Sequence, residues 1–342
     1  MINLIYFSNS TIIVVLQIFR VNQLLNSLLL FPYALLLNHR MFFSDPAEAS
    51  DFNSGILSAW LENMNLNFPI SSAFLFIFLI FIQAILINRM SIIFRMGNEI
   101  TLFPGLIFIL LTSFFPAFQQ LSGLIIGQFF LILALYNLFD IYNRHKDNGY
   151  LFNSALWLAL ASLIYFPFVI FIPVMIIGGF ILKSLRTVDF LLMINGFIVP
   201  YFLTGTYYYL KGDISGFISS YLQPEFGLQF PIFPLTVDIL IPLMLIVASI
   251  LIVLLNFQYY TSRKGLRAKK NIDIIYWLLL FYGISIVLFP GISLQHMVLI
   301  AVPLAFLLQD SLLRIENPLT AEIVHLFLIS SLFFFHYQNL FS

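Results

Sequence analysis

Long apolar runs separate the charges of this chain, and the sign of each charged loop follows the side of a membrane on which it would lie. If the chain is divided at those runs, its 15 Lys and Arg residues fall in alternate loops, except for Arg40 and Lys211. The intervening loops are rich in acids. This alternation is typical of a polytopic membrane protein whose basic loops stay in the cytoplasm. The N-terminus is therefore predicted to be cytoplasmic.

About eleven segments approach the roughly 17 to 25 residues that cross a bilayer as a helix. They are 22-38, 68-88, 101-118, 121-141, 152-167, 168-184, 188-209, 233-256, 274-290, 294-310 and 319-338. Tight turns are expected at the prolines of Tyr165-Phe166-Pro167 and Phe289-Pro290-Gly291. An odd number of spans sends the C-terminus outside. The predicted fold class is all-α, a polytopic transmembrane helix bundle that forms one membrane domain over residues 1-342.

Composition narrows the classes of function. The chain is 61% hydrophobic and 9% charged, which is far from the balance of a soluble domain. Its net charge is zero, so no nucleic-acid partner is expected, and its one dense basic segment, 257-273, reads as a cytoplasmic loop facing anionic lipid. Cysteine is absent, which excludes disulfides and thiol catalysis. The nucleotide-binding, zinc-protease and serine-hydrolase motifs are absent as well.

The outer loop 39-67 carries three acids with regular spacing. Asp45, Glu48 and Asp51 lie three residues apart, so on a helix they would share an arc of roughly 120°. One interpretation is structural, with Asp45 as N-cap, Pro46 at the first helical position and Glu48 completing a capping box. The other is that a carboxylate acts as general base on an acceptor hydroxyl, or binds a divalent cation as cofactor. Asp51 is the acid that capping does not explain.

The same loop has features typical of a segment that lies at a membrane surface. An apolar series at helical spacing predicts an amphipathic interfacial helix: Phe52, Ile56, Trp60 and Met64. His39 and Arg40 begin the loop at the membrane boundary. Arg suits a bidentate contact with a lipid phosphate, so both residues are candidates for substrate binding. The alternative is that they only snorkel to the interface.

Two further candidates for substrate binding lie elsewhere. Asp238 follows the second outer loop, 210-232, and stands just inside the eighth span, where an ionisable residue is functional by default unless the boundary solvates it. His296 lies near the outer mouth of the tenth span. It either faces the same outer cavity as the first loop or is a packed, hydrogen-bonded histidine.

Four acids at cytoplasmic helix ends are expected to form ordinary ion pairs: Asp140, Asp189, Asp310 and Glu322.

Several short stretches carry a resemblance to a family. They are Phe152-Asn153-Ser154-Ala155 through Leu163-Ile164-Tyr165-Phe166-Pro167, Asp189-Phe190 through Asn195-Gly196, Pro200-Tyr201-Phe202, Gln295-His296-Met297, Ala301-Val302-Pro303-Leu304 and Thr320-Ala321-Glu322. With these stretches the chain resembles the DUF6427 family of multi-spanning membrane proteins from Bacteroidota, from about residue 95 to the end. That resemblance implies a bacterial inner-membrane protein and carries no established activity.

The architecture is also similar to that of the GT-C glycosyltransferases. The shared features are a cytoplasmic N-terminus, about eleven spans and an acidic first outer loop with an amphipathic helix. Those enzymes move a sugar from a polyprenyl-phosphate carrier to an acceptor on the outer face, with a carboxylate of the first outer loop as catalytic group. This chain has Asp-x-x-Glu-x-x-Asp where many of them have an adjacent acidic pair.

Three functions therefore compete. The first is a GT-C-like transferase with Asp51 or Asp45 as base, Glu48 beside them, Arg40 near the carrier phosphate, and a polyprenyl-phosphate-linked saccharide as donor. The second is a non-catalytic subunit or scaffold of an envelope complex that docks membrane protein partners. The third is a transporter of a lipid or amphiphile, for which Gln83, Gln128, Asn137 and Asn195 would line a polar path between the two faces. Membrane lipid is the expected partner in each.

Overall fold

The structure is a computed structural model that describes residues 15-43, 55-143, 149-221, 227, 237-262, 264-289, 294-315 and 317-337. Asp45, Glu48 and Asp51 lie outside the described residues, as does the side chain of Asp238. Throughout the described part, the secondary structure is helical and contains no strand. The predicted all-α class is confirmed for these residues.

The first half of the chain forms helices of very unequal length. They are α1 (Val15–Arg20), α2 (Leu24–Leu28), α3 (Leu30–Leu37), α4 (Ser58–Asn67), α5 (Pro69–Ile93), α6 (Phe103–Thr112), α7 (Gly123–Asp140) and α8 (Gly149–Ile164). The second half forms α9 (Ile172–Leu182), α10 (Thr187–Leu210), α11 (Ile214–Tyr221), α12 (Val237–Leu255), α13 (Phe257–Ser262), α14 (Leu266–Leu288), α15 (Ala301–Leu313) and α16 (Pro318–Tyr337). Short 3-10 turns join several of them.

Six helical segments of the described part are long and apolar enough to cross a membrane. They are α5, α7, α10, α14, the segment Leu294–Leu313 that ends in α15, and α16. The other predicted spans coincide with shorter apolar helical segments, Leu24–Leu37, Phe103–Thr112, Gly149–Ile164, Phe166–Leu182 and Ile239–Leu255. The apolar runs of the sequence are therefore helical, and the number that cross a membrane stays a prediction.

Proline accounts for two breaks in the helical structure, one inside the first predicted span and one at the boundary of the fifth and sixth. The first predicted span breaks at Leu29, three residues before Pro32, which has no N–H to offer the carbonyl of Leu28. Tyr165 is extended, and Phe166–Phe171 forms a 3-10 turn with Pro167 near its start. The tight turn predicted at Tyr165-Phe166-Pro167 is therefore confirmed.

A short helix lies at the centre of the bundle. All ten residues of α6 are buried. Ten residues span about 15 Å, which is half the hydrocarbon thickness of a bilayer. Pro116 follows α6 closely, and the turn from Phe118 to Ser122 that leads into α7 is buried too. α6 packs most closely against α5 and α15, whereas α10 and α16 are the least buried of the membrane-length helices.

The basic residues of segment 257-273 lie partly on a helix. α14 begins at Leu266, eight residues before the predicted span, and so includes Arg267 and Lys270. Arg267 stacks over the Phe94 ring at 4.8 Å and lies 3.7 Å from Asp140, and Lys270 stacks over the Tyr142 ring at 5.2 Å. These contacts hold the start of α14 against the ends of α5 and α7.

Candidate functional site

The acids predicted to be catalytic lie outside the described residues, but the chain on either side of them is anchored. On the far side, Gly55 packs so tightly that an added Cβ would lie 1.7 Å from the carbonyl oxygen of Ile164. The Ile56 amide donates to the Leu163 carbonyl at 3.3 Å. Residue 55 is thus held at the end of α8. In the helix that follows, Trp60 is 45% exposed whereas Leu61 is buried, so α4 has an apolar residue on its outer face.

His39 lies on a 3-10 turn, His39–Phe42, that follows α3. Its Nδ1 lies 2.8 Å from the Leu36 carbonyl, which can only accept, so Nδ1 carries the proton. Its Nε2 therefore accepts from the Tyr337 hydroxyl at the end of α16. Both ring nitrogens are thus engaged in joining α3 to α16. The structure assigns His39 a packing contact, and its predicted substrate role stays a prediction.

A buried polar cluster lies next to His39 and Arg40. Ser113 is its centre, because its carbonyl accepts from His336 Nε2 at 3.0 Å and its hydroxyl accepts from Asn38 Nδ2 at 2.8 Å. Gln119 Nε2 donates to the Leu37 carbonyl at 3.2 Å. Within the described part, Asn38 Oδ1 and His336 Nδ1 have no hydrogen-bond partner. Sequence reasoning missed this cluster, although each member ends or interrupts an apolar run.

His296 is fully buried, not exposed at an outer mouth. Tyr165 lies 3.1 Å from its Nδ1, Ser285 lies 2.7 Å from its Nε2, and the Tyr282 ring stacks on it at 5.9 Å. It therefore ties the turn before α9 to α14 and α15. This geometry favours the packed, hydrogen-bonded interpretation. Asp238 lies in the first turn of α12, and its side chain is outside the described residues.

A mainly apolar cavity of about 460 Å³ could hold a ligand, and none of the predicted site residues lines it. It lies between α6, α12, α15 and α16, and it is lined mainly by aliphatic side chains. They include Leu106, Ile107, Leu110, Leu111, Leu245, Ile246, Ile252, Leu308, Leu312, Val324 and Leu328. Its volume is within the range of small-molecule sites, about 300 to 1,000 Å³. Along α6, the lining from Leu106 to Phe114 covers about 12 Å.

Most polar groups of this cavity gather at one end. Asn256, at the end of α12, accepts from Arg314 Nη1 at 3.2 Å. The Arg314 guanidinium lies 4.9 Å from the centre of the Tyr259 ring. Tyr260 and Ser311 contact each other through their hydroxyls. We call this group of five residues the polar mouth. Under the predicted orientation it faces the cytoplasm.

The wall opposite α12 contains an ionisable group. His325 of α16 lines the cavity, and its Nε2 lies 3.0 Å from the Tyr33 hydroxyl. Its Nδ1 is 4.0 Å from Glu322. The Glu322 carboxylate accepts the amides of Val15 and Leu16 at 3.1 and 2.9 Å, so it caps the first described turn of α1. These contacts connect the cavity wall to the N-terminal helices.

No metal centre emerges from the described residues, since no three His, Cys, Asp or Glu side chains there are grouped to hold an ion. The predicted divalent cation depended on Asp45, Glu48 and Asp51, and it stays a prediction. The described residues form an all-helical bundle with several membrane-length apolar helices and a large aliphatic cavity. Comparisons of the chain with protein-family models, curated proteins and solved structures give no match.

Proposed function

We propose that the protein is a multi-pass protein of a bacterial inner membrane that binds the apolar chain of a lipid or other amphiphile. The observation that carries this proposal is the 460 Å³ cavity, whose aliphatic lining ends at a polar mouth. An apolar cavity of this size does not hold water well, and it suits an apolar ligand. Most of its aliphatic lining comes from segments that the sequence predicts to lie in the membrane, where such ligands are abundant.

Specificity in this site cannot come from the hydrophobic effect alone. A lipid chain that enters the cavity leaves a bilayer as apolar as the cavity, so little is gained from removing it from water. Selection must come from shape, dispersion contacts and the polar groups at one end. The aliphatic lining supplies the shape and the dispersion contacts, and the polar mouth supplies the polar groups. For this reason we favour binding of an entire amphiphile over passive filling by bilayer chains.

Each side-chain amide that was expected to line a transport path donates a hydrogen bond to a backbone carbonyl. Gln83 donates to the Ile125 carbonyl at 3.0 Å and Gln128 to the Val298 carbonyl at 3.3 Å. Asn137 and Asn195 donate to carbonyls of their own helices. None of the four lines the cavity. We therefore propose binding without assigning a transport route.

The transferase and scaffold hypotheses stay predictions. The three acids on which the transferase depends lie outside the described residues, and the polar mouth lies on the opposite predicted side of the membrane from them. The family resemblance and the predicted count of about eleven spans remain compatible with either hypothesis.

The proposal is tested by filling the cavity from two walls. Ser249 lines it from α12 and Leu328 from α16, whereas Val247 and Phe327 face outward on the same helices and are 45% and 64% exposed. Native mass spectrometry would compare the lipid retained by detergent-purified Ser249→Trp and Leu328→Trp with that of Val247→Trp and Phe327→Trp. We expect the first pair to lose a bound amphiphile that wild type and the second pair retain. Equal retention in all forms, with every variant monodisperse, would contradict the proposal.

A further inference from the structure

Arg314 is the one charged residue among the five of the polar mouth. Asp310, one helical turn before Arg314 on α15, forms a buried ion pair with Lys264, and both side chains are at most 4% exposed. Asp310 also accepts the Asn98 amide at 2.9 Å. Among the described residues, no carboxylate lies within ion-pair distance of Arg314. The positive charge of the mouth is therefore not neutralised by any carboxylate of the described residues.

Arg314 is held in place over the mouth without using up its donors. A guanidinium has five N–H donors, and among the described residues one of them has a hydrogen-bond acceptor, Asn256. The Tyr259 ring supports its face at 4.9 Å, a favourable cation–π arrangement. Asn256 and Tyr259 come from the α12–α13 junction, whereas Arg314 follows α15. Two separate chain segments thus position a cation at the end of an aliphatic cavity, with donors left to bind an anion.

A simpler explanation is that Arg314 only compensates the negative end of the α15 dipole, since it stands at the C-cap of that helix. Such a role needs neither a side-chain acceptor from another helix nor an aromatic support. It also does not explain why a cavity of 460 Å³ ends at this residue. The combination of a fixed cation and a continuous apolar cavity matches an amphiphile with a negative head.

We propose that the ligand of the cavity is an amphiphile with one anionic headgroup, a carboxylate or a phosphate, bound by Arg314 at the polar mouth. This inference rests on the proposed function, because it assigns the head of a molecule whose chain occupies the cavity. Arg forms charge-assisted and often bidentate hydrogen bonds with both kinds of oxyanion. Under the predicted orientation, the ligand enters from the cytoplasmic leaflet.

The test uses probes that share a chain and differ in the head. Dodecanoate, dodecanol and acetate would be titrated by isothermal calorimetry into the purified full chain and into Arg314→Gln and Arg314→Lys. Arg20→Gln is the matched control, because Arg20 is an exposed arginine that pairs with Glu99 at 3.1 Å and does not line the cavity. We expect wild type and Arg20→Gln to bind dodecanoate about tenfold or more tightly than dodecanol, the size of one charge-assisted contact. Arg314→Gln should weaken dodecanoate binding about tenfold or more and so remove that preference, and Arg314→Lys should retain part of it.

The outcomes separate the two proposals. If dodecanoate and dodecanol bind with equal affinity and Arg314→Gln changes neither, the headgroup assignment is wrong while the chain site stands. If acetate binds as tightly as dodecanoate, the mouth is a free-anion site and the assignment is also wrong. If none of the three binds, the proposed function itself fails.

Discussion

Many of the buried polar side chains in the described helices bond to a neighbouring helix, and this fact decides how the predicted site residues are interpreted. His296 bonds to groups from two segments, and His39 and His336 connect α3, α6 and α16. Inside a membrane, an unpaired polar group is costly, so these contacts specify packing. A histidine in an apolar run is visible in the sequence. Whether it bonds to protein or to a ligand depends on segments more than a hundred residues away.

Replacing His296 tests this structural role. His296→Ala removes the hydrogen bonds that His296 makes with Tyr165 and Ser285 and opens a space beside Tyr282, at a cost of about 1 to 3 kcal/mol for the two lost bonds alone. We expect a clearly lower melting temperature in detergent, measured by size-exclusion after heating. Asn195→Ala is the control, because its exposed amide bonds only to its own helix, and it should melt as wild type does. An unchanged melting temperature for His296→Ala would mean that the histidine is not a packing residue.

The acids at predicted cytoplasmic helix ends show which contacts can be predicted from the sequence. Asp189 pairs with Lys183 at 3.2 Å, Asp140 lies 3.7 Å from Arg267, and Asp310 pairs with Lys264. Ordinary pairing was predicted for all four acids and is confirmed for these three. Glu322 instead caps α1, through a contact between residues about 306 positions apart that no local pattern indicates.

Helices of this bundle approach one another closely where a glycine removes the side chain. At Gly105, an added Cβ would lie 2.4 Å from Asn88 Nδ2 and 2.7 Å from the Ala84 carbonyl, so α6 is pressed against α5. The Gly105 amide donates to Asn88 Oδ1 at 2.6 Å. α6 can therefore be short and still be held firmly at its start. The apolar run that contains it predicted a full span, because hydropathy does not report such local contacts.

The close contact of α6 with α5 is tested by a pair of glycine variants. Gly105→Ala should lower stability by about 1 to 3 kcal/mol, since the helices must separate or the Asn88 contact must break. Gly283→Ala on α14 is the matched control, because nothing lies within 4 Å of its added Cβ. It should raise stability by up to about 1 kcal/mol, the gain in helix propensity. Chemical denaturation in mixed micelles measures both changes, and equal effects of the two variants would contradict the packing described.

The Lys264–Asp310 pair fixes the segment before α14 to α15 and borders the polar mouth. Removing one partner leaves a buried charge, so Lys264→Met should cost about 3 to 5 kcal/mol. The double variant Lys264→Met/Asp310→Asn should be clearly more stable than Lys264→Met, because no charge is then stranded. Melting temperatures of the two single variants and the double variant form the cycle that measures this coupling. Additive losses would show that the two charges do not interact.

For the protein as a whole, the sequence predicted the helices better than the spaces between them. The apolar runs and the alternation of charge placed every predicted span on a helical segment of the structure. The cavity could not be predicted, because its walls come from residues 106-114, 245-260, 308-315 and 324-328, which are distant in sequence. A leucine that lines a cavity has the same periodicity as one that fills a core. Only the packing of four helices distinguishes them.

The orientation of the protein is open to direct measurement, because the chain has no cysteine and any introduced thiol is unique. Lys211→Cys follows α10 and Ser262→Cys ends α13, and both positions are exposed. The distribution of Lys and Arg predicts that Lys211→Cys reacts with a membrane-impermeant maleimide in spheroplasts. Ser262→Cys should react only after the membrane is permeabilised. The reverse pattern would invert the orientation and place the polar mouth outside.

The central claim, that the cavity holds the chain of an amphiphile, is tested most directly by photo-crosslinking. A dodecanoate analogue with a diazirine near the end of its chain would be equilibrated with the purified protein, irradiated, and mapped by peptide mass spectrometry. The account predicts labels concentrated on the cavity segments 106-114, 245-252, 308-315 and 324-328, displaced by unlabelled dodecanoate and lost in Ser249→Trp. Labels spread over the exposed faces of α10 and α16, and unaffected by Ser249→Trp, would contradict it.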